Sequence, residues 1–219
     1  MRKQSLLKAM RWQMNILMLK QAKTGLSALT PKRRIGVSCS TAWLRHHRVM
    51  KPMADRKAAH HLGGALEDQD AHLGSELAGG KLGRGSENKV PIVVAISLND
   101  KGYPLYVKVA KILCFTNDAI SKWARSNLVP GTAVLSERLA CFGAVTDAGC
   151  THSVEIVGKR KSRYLPQSKW VNTVLGNLKT VLSGAHKSFG YCKYADHYLG
   201  AFAYRFNRRF DLAELWRSW

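Results

Sequence analysis

Asn172 and Lys179 stand seven residues apart in WVNTVLGNLKTVLSGAH, residues 170–186. Seven residues carry an α-helix through about two turns, so a neutral oxygen ligand and an amine share one face roughly 10 Å apart. Taken alone, the pair also fits a polar stripe on a half-buried helix. Other candidate motifs fail on spacing. Cys150 and His152 make half a metal site, and no second pair exists. In GSELAGGKLGRGSEN, Lys81 is followed by Leu82 rather than Ser or Thr, and Gly83-Arg84-Gly85 is too short for a dinucleotide fingerprint.

Charge points to a polyanionic partner. The 219 residues carry 35 Lys and Arg against 14 Asp and Glu, a net +21, which favours nucleic acid or an anionic membrane surface. No acid precedes Asp55, whereas residues 1–54 hold twelve basic residues. That asymmetry predicts a basic N-terminal module, residues 1–59, joined to a more ordinary domain. The longest early apolar run, Ile16–Leu19, is too short for a signal core or a membrane span, so no membrane partner is expected. An acid-free amphipathic start also fits a mitochondrial transit peptide. Five cysteines without CxxC spacing read as reduced, mostly buried thiols of a cytoplasmic protein.

The elements that must position these residues follow from periodicity. Residues 5–22 place Leu7, Met10, Met14, Leu17 and Met18 on one helical face. Ser27–Ile35 predicts a short helix with Pro31 in its first turn or at a kink, and Gly36 a turn. Ser38 or Ser40 then caps a basic helix running to about Met50. This outline resembles a helix-turn-helix over about residues 24–50, with Lys32, Arg33, Arg34, Arg45, His46, His47 and Arg48 available to DNA. Any two basic helices share that outline.

Past residue 60 the period changes. Leu66–Leu73, Lys89–Leu98 and Pro104–Ala110 predict three strands, the first two joined by a glycine-rich hairpin connection. Thr116 caps a helix ending before Pro130-Gly131, followed by a strand at Ala133–Leu135, a helix through Ala148 and a strand at Ser153–Val157. Helices from Trp170 and from Lys193 to about Asn207 close the chain. Three strands able to form a meander, then helix, strand, helix, strand and helices, give an α/β domain with a ribonuclease-H-like mixed sheet flanked by helices. Nuclease carboxylates of such domains cluster from the first strand, the end of the fourth and a later helix. Those places hold LEDQDAH (66–72), LSERL (135–139) and WVNTVLGNLK (170–179).

The runs LGRGSENKVPIVVAISLNDKGYPLYVKV, LVPGTAVLSERLACFGAVTDAGCTH, WVNTVLGNLKTVLSGAHKSF and YLGAFAYRFNRRFDL resemble bacterial insertion-sequence transposases of the ISXO-like group. These are DDE-type enzymes in which some subgroups replace the third acid by Asn. The segment from Ala22 to Met50 is similar to the helix-turn-helix that precedes their catalytic domain. The resemblance implies a catalytic domain over 60–212 and a truncated tail over 213–219, without the family's usual N-terminal zinc ribbon. It also implies phosphoryl transfer at element ends: two Mg²⁺ or Mn²⁺ ions activate a water or 3′-hydroxyl and stabilise the leaving oxygen. Terminal inverted repeats and target DNA would be the partners, the protein a homo-oligomer, and its place the cytoplasmic nucleoid.

By that resemblance Gln69, Glu137 and Asn172 occupy the three ligand positions, and Lys179 the DNA-phosphate contact. Relatives carry an acid at the first position and a Ser-Asp-Gly turn at the second; this chain reads Gln69-Asp70 and Ser136-Glu137-Arg138. Asp70 is a candidate metal ligand beside Glu137 and Asn172. Strand side chains alternate faces, however, so neither Asp68 nor Asp70 replaces Gln69 without a register shift. Hard cations demand carboxylate oxygens, with an Asn carbonyl a weaker substitute. The expectation is a transposase impaired in metal binding; the rival reading is a catalytically dead nucleic-acid-binding protein. In YADHYLGAFAYRFNRRF, Tyr204, Phe206 and Phe210 are expected to pack inward. At least one of Arg205, Arg208 and Arg209 is expected to reach DNA phosphate in the active-site groove.

Overall fold

The run VPIVVAISL is apolar at nearly every position, the pattern of a strand covered on both faces. In the computed structural model it lies second from one edge of a five-stranded sheet. The structure describes residues 14, 18, 26–58, 60–74, 89–137, 139–155, 169–185 and 190–210. Most of the predicted 5–22 helix, the glycine-rich connection, Arg138 and the 213–219 tail lie outside the described residues; Met14 and Met18 are helical.

Strands β1 (Ala65–Leu73), β2 (Val90–Leu98), β3 (Pro104–Lys111), β4 (Ala133–Glu137) and β5 (Thr151–Glu155) form a sheet of order β3-β2-β1-β4-β5. The first three are an antiparallel meander, and β4 and β5 run parallel to β1. Preceding them are α1 (Leu29–Ile35) and α2 (Cys39–Ala58). Helix α3 (Asn117–Asn127) and a 3-10 helix (Ala140–Ala148) flank β4, and α4 (Lys169–Ala185) and α5 (Tyr191–Asn207) follow β5. This is the ribonuclease-H-like mixed α/β arrangement. Thr116 Oγ1 accepts the Ala119 N–H at 3.4 Å and starts α3 as expected. The segment before Ala148 is 3-10 rather than α.

Alternation divides the sheet into two cores. Ile92, Val94 and Ile96 face α4 and α5, whereas Val93 and Ala95 face α3 and the 3-10 helix through Ile120, Trp123 and Phe142. Val49, Met50 and Met53 of α2 belong to the first of these cores, so the N-terminal helices share apolar burial with the sheet. Gly36, at φ 66°, ends α1 in the left-handed region, and Ser38 Oγ accepts the Thr41 N–H at 3.2 Å to start α2. Helix α2 outruns the expected end near Met50 and continues through Pro52 to Ala58. Proline removes one helical donor, but Met53 is 1% exposed and Ala54 sits against Gly200 of α5. A Cβ on Gly200 would lie 2.4 Å from that of Ala54. Burial therefore outweighs the broken hydrogen bond.

Candidate active site

Parallel pairing of Asp68 with Ser136 brings the next residues, Gln69 and Glu137, side by side. Gln69 Nε2 donates to Glu137 Oε1 at 3.0 Å. The third element is fixed from β1: Glu67, 3% exposed, accepts the Val171 N–H through Oε2 at 2.8 Å. A carboxylate on an N–H of a helix's first turn also meets the positive end of the helix dipole. It pins the start of α4 over β1, and half-buried Asn172 follows directly. Lys179, two turns on, is exposed. Glu67 carries no ligand role in the sequence reading, because its partner lies 104 residues away.

Asp68 and Asp70 occupy the other face. Burial, then the charges of Asp70 and Asp68, push the Cys141 thiol up, which puts both acids on the side of the 3-10 helix. Asp68 is 2% exposed, and neither carboxyl oxygen makes a well-formed hydrogen bond. Desolvation raises its pKa well above the carboxylate range, Asp70 adds to the rise, and the Gln69 backbone N–H only partly opposes it. The structure thus sets Asp70 apart from Gln69, Glu137 and Asn172. Cys150 and His152 are engaged separately. The Cys150 thiol faces Val129 O at 3.8 Å, and His152 Nε2 pairs with Ser136 Oγ at 2.8 Å. Cys141 and Cys150 are buried, but Cys39, Cys114 and Cys192 are exposed, contrary to the expectation of mostly buried thiols.

The basic residues divide by environment. Lys32, Arg33, Arg34 and Arg48 are exposed. His46, expected to be available to DNA, is 2% exposed, and Arg45 is half-buried. His47 turns into the α2–α5 contact: its ring lies 4.1 Å from that of Trp43, and Nε2 is 3.2 Å from Tyr198 Oη. Burial, helped by the charge of His197, brings its pKa down to about 4. At the end of α5, Tyr204 is buried and Phe206 partly so, but Phe210 is 90% exposed and does not pack inward. Arg208 lies 4.0 Å from the Tyr204 ring. Arg209 donates to Leu105 O at 3.2 Å, Phe206 O at 2.9 Å and Pro104 O, and so grips β3, the edge remote from β4. Half-buried Arg205 loses basicity to desolvation.

Residues 61–207, about two thirds of the chain, match the ISXO2-like transposase domain. The chain belongs to that family. No curated protein matches it. ISXO2-like transposases are DDE enzymes, a group that generally uses divalent metal. Gln69, Glu137 and Asn172, the residues that the sequence resemblance singles out, supply one carboxylate and two carboxamides, and a carboxylate oxygen of Glu137 already accepts from Gln69. Among the described residues no group of three or more His, Cys, Asp or Glu could hold a metal ion. One negative charge against two divalent cations does not fit a two-ion centre. No helix among the described residues is long and apolar enough to cross a membrane.

Proposed function

We propose that this ISXO2-like transposase binds DNA ends through its basic surfaces but is impaired in metal-dependent strand cleavage and transfer. The observation that carries the reading is the Gln69–Glu137 hydrogen bond, in which an amide N–H of Gln69 occupies a carboxylate oxygen of Glu137. A carboxamide there brings N–H donors, which repel a cation, and lacks the charge that two hard ions require. The DNA surface in this reading comprises exposed Lys32, Arg33, Arg34 and Arg48 with Lys179. Asp70, on the far face, takes no part in it, and His46, His47 and Arg209 serve packing.

Duplex binding and plasmid nicking, measured side by side, test this. Binding is expected to weaken linearly with log salt, because neutralised phosphates release condensed counterions. Replacing Lys32, Arg33, Arg34 and Arg48 together by Gln is expected to flatten that slope by about three to four units, roughly 0.9 per lost contact. Nicking of supercoiled plasmid with Mg²⁺ or Mn²⁺ is expected to stay at background. An unchanged salt slope in the fourfold variant refutes the binding surface; metal-dependent nicking by the parent refutes the impairment.

A further inference from the structure

An open cavity of about 350 Å³ lies beside the first residues of β1 and β4, with Leu98, Leu135, Ser153, Glu67 and Trp170 among its walls. Three of these, Glu67, Leu135 and Trp170, stand two positions before Gln69, Glu137 and Asn172 on the same elements. Two strand residues span about 6.6 Å, so the cavity lies about one nucleotide's reach from Gln69 and Glu137. We propose that it receives one unstacked nucleobase of bound DNA, an inference that rests on the DNA-binding reading above.

The chemistry of the walls selects that occupant. Leu98, Leu135 and the Trp170 indole offer apolar and aromatic surface, and the size falls in the range of small-ligand pockets, roughly 300–1,000 Å³. Among the described residues no Lys or Arg lines it, and the Glu67 carboxylate in its wall repels phosphate. One cation stands beside the indole. Lys169 Nζ lies 5.3 Å from the Trp170 ring centroid, and Lys179 is exposed further along α4. The indole is fixed in place: Trp170 Nε1 donates to Gly102 O at 2.7 Å. Tyr103, 58% exposed, sets a second ring 6.0 Å from that of Trp170. A fixed indole with a neighbouring cation is a stacking platform that accepts any base, since every base has a π-face.

Fluorescence anisotropy with three labelled DNAs tests the proposal: a blunt duplex, the same duplex with a three-nucleotide thymidine overhang, and that overhang made abasic. The parent chain is expected to bind the thymidine overhang at least about five-fold more tightly than the abasic one, the low end for one stacked base. Trp170→Ala is expected to erase that ratio while holding blunt-duplex affinity within two-fold, and Trp170→Phe to retain most of it. Ser153→Phe, at an exposed position on the rim, is expected to block the cavity and erase the ratio without touching the indole. Equal affinity of the parent for thymidine and abasic overhangs, or a ratio that survives Ser153→Phe, overturns the proposal. Failure of the parent to bind any of the three DNAs overturns the DNA-binding reading together with it.

Discussion

The two faces of β1 have nearly inverted chemistry. Toward α4 the strand presents Glu67 and Gln69; toward the 3-10 helix it presents Asp68 and Asp70. Glu67 is a buried acid with a purpose, because it holds the first turn of α4. Gln69 is an amide that donates across the strands to Glu137. Asp68 is an acid where packing asks for an apolar side chain, among Leu66, Ala95, Val134 and Phe142. The contrast shows that charge count in a strand says little about a site. LEDQDAH holds three carboxylates, yet only Glu67 shares a face with Gln69, and it is committed to the helix. Moving Asp68 or Asp70 onto that face would turn Leu66 out of its core as well.

Breaking the useful acid is expected to give the largest effect. Glu67→Ala leaves the Val171 N–H without its acceptor and opens a cavity, at a cost of about 2–4 kcal/mol. Thermal denaturation should show Tm falling by at least about 5 °C, given roughly 2–4 °C per kcal/mol for a chain of this size. An unchanged Tm would mean that α4 is held by apolar packing alone. Removing the misplaced acid is expected to act in the opposite direction and less strongly. The folded state keeps the Asp68 proton above the pH at which the unfolded chain releases it, so native protein binds more protons and stability falls as pH rises through that window. Asp68→Asn removes this penalty. Its Tm at pH 7 should exceed the parent's by about 3 °C or more, with the two converging below about pH 4. A variant less stable than the parent at pH 7 would show that the ionised acid is satisfied in place.

Much of this frame was legible because it rests on local periodicity. The β-branched run of β2 and the Thr116 cap announce themselves within a few residues, and the mixed α/β class follows from the succession of strands and helices. Alternation alone placed Asp68 and Asp70 across the sheet from Gln69. What escaped was long-range. His46 and His47 read as part of a basic DNA-facing run, although His46, Val49, Met50 and Met53 carry the i, i+3, i+4, i+7 spacing of a buried stripe. That signal was present and was outweighed by the neighbouring arginines. The arginines of α5 read as phosphate contacts because nothing in YRFNRRF shows that β3 carbonyls lie beside Arg209. No local pattern could reveal that Glu67 caps a helix begun a hundred residues later, or that Trp170 fixes its indole on Gly102.

The central claim is that Gln69, Glu137 and Asn172 occupy a metal position whose chemistry has been altered. Calorimetric titration of Mn²⁺ into the parent and into a Gln69→Asp, Glu137→Asp, Arg138→Gly variant tests it most directly. The substitutions replace the amide with a carboxylate, shorten the second ligand and remove a neighbouring cation, so a second negative charge faces the metal. Weak or no binding is expected of the parent and at least ten-fold tighter binding of the variant, with circular dichroism confirming that both are folded. A folded variant that binds Mn²⁺ no better than the parent would show that these three positions do not converge on a metal.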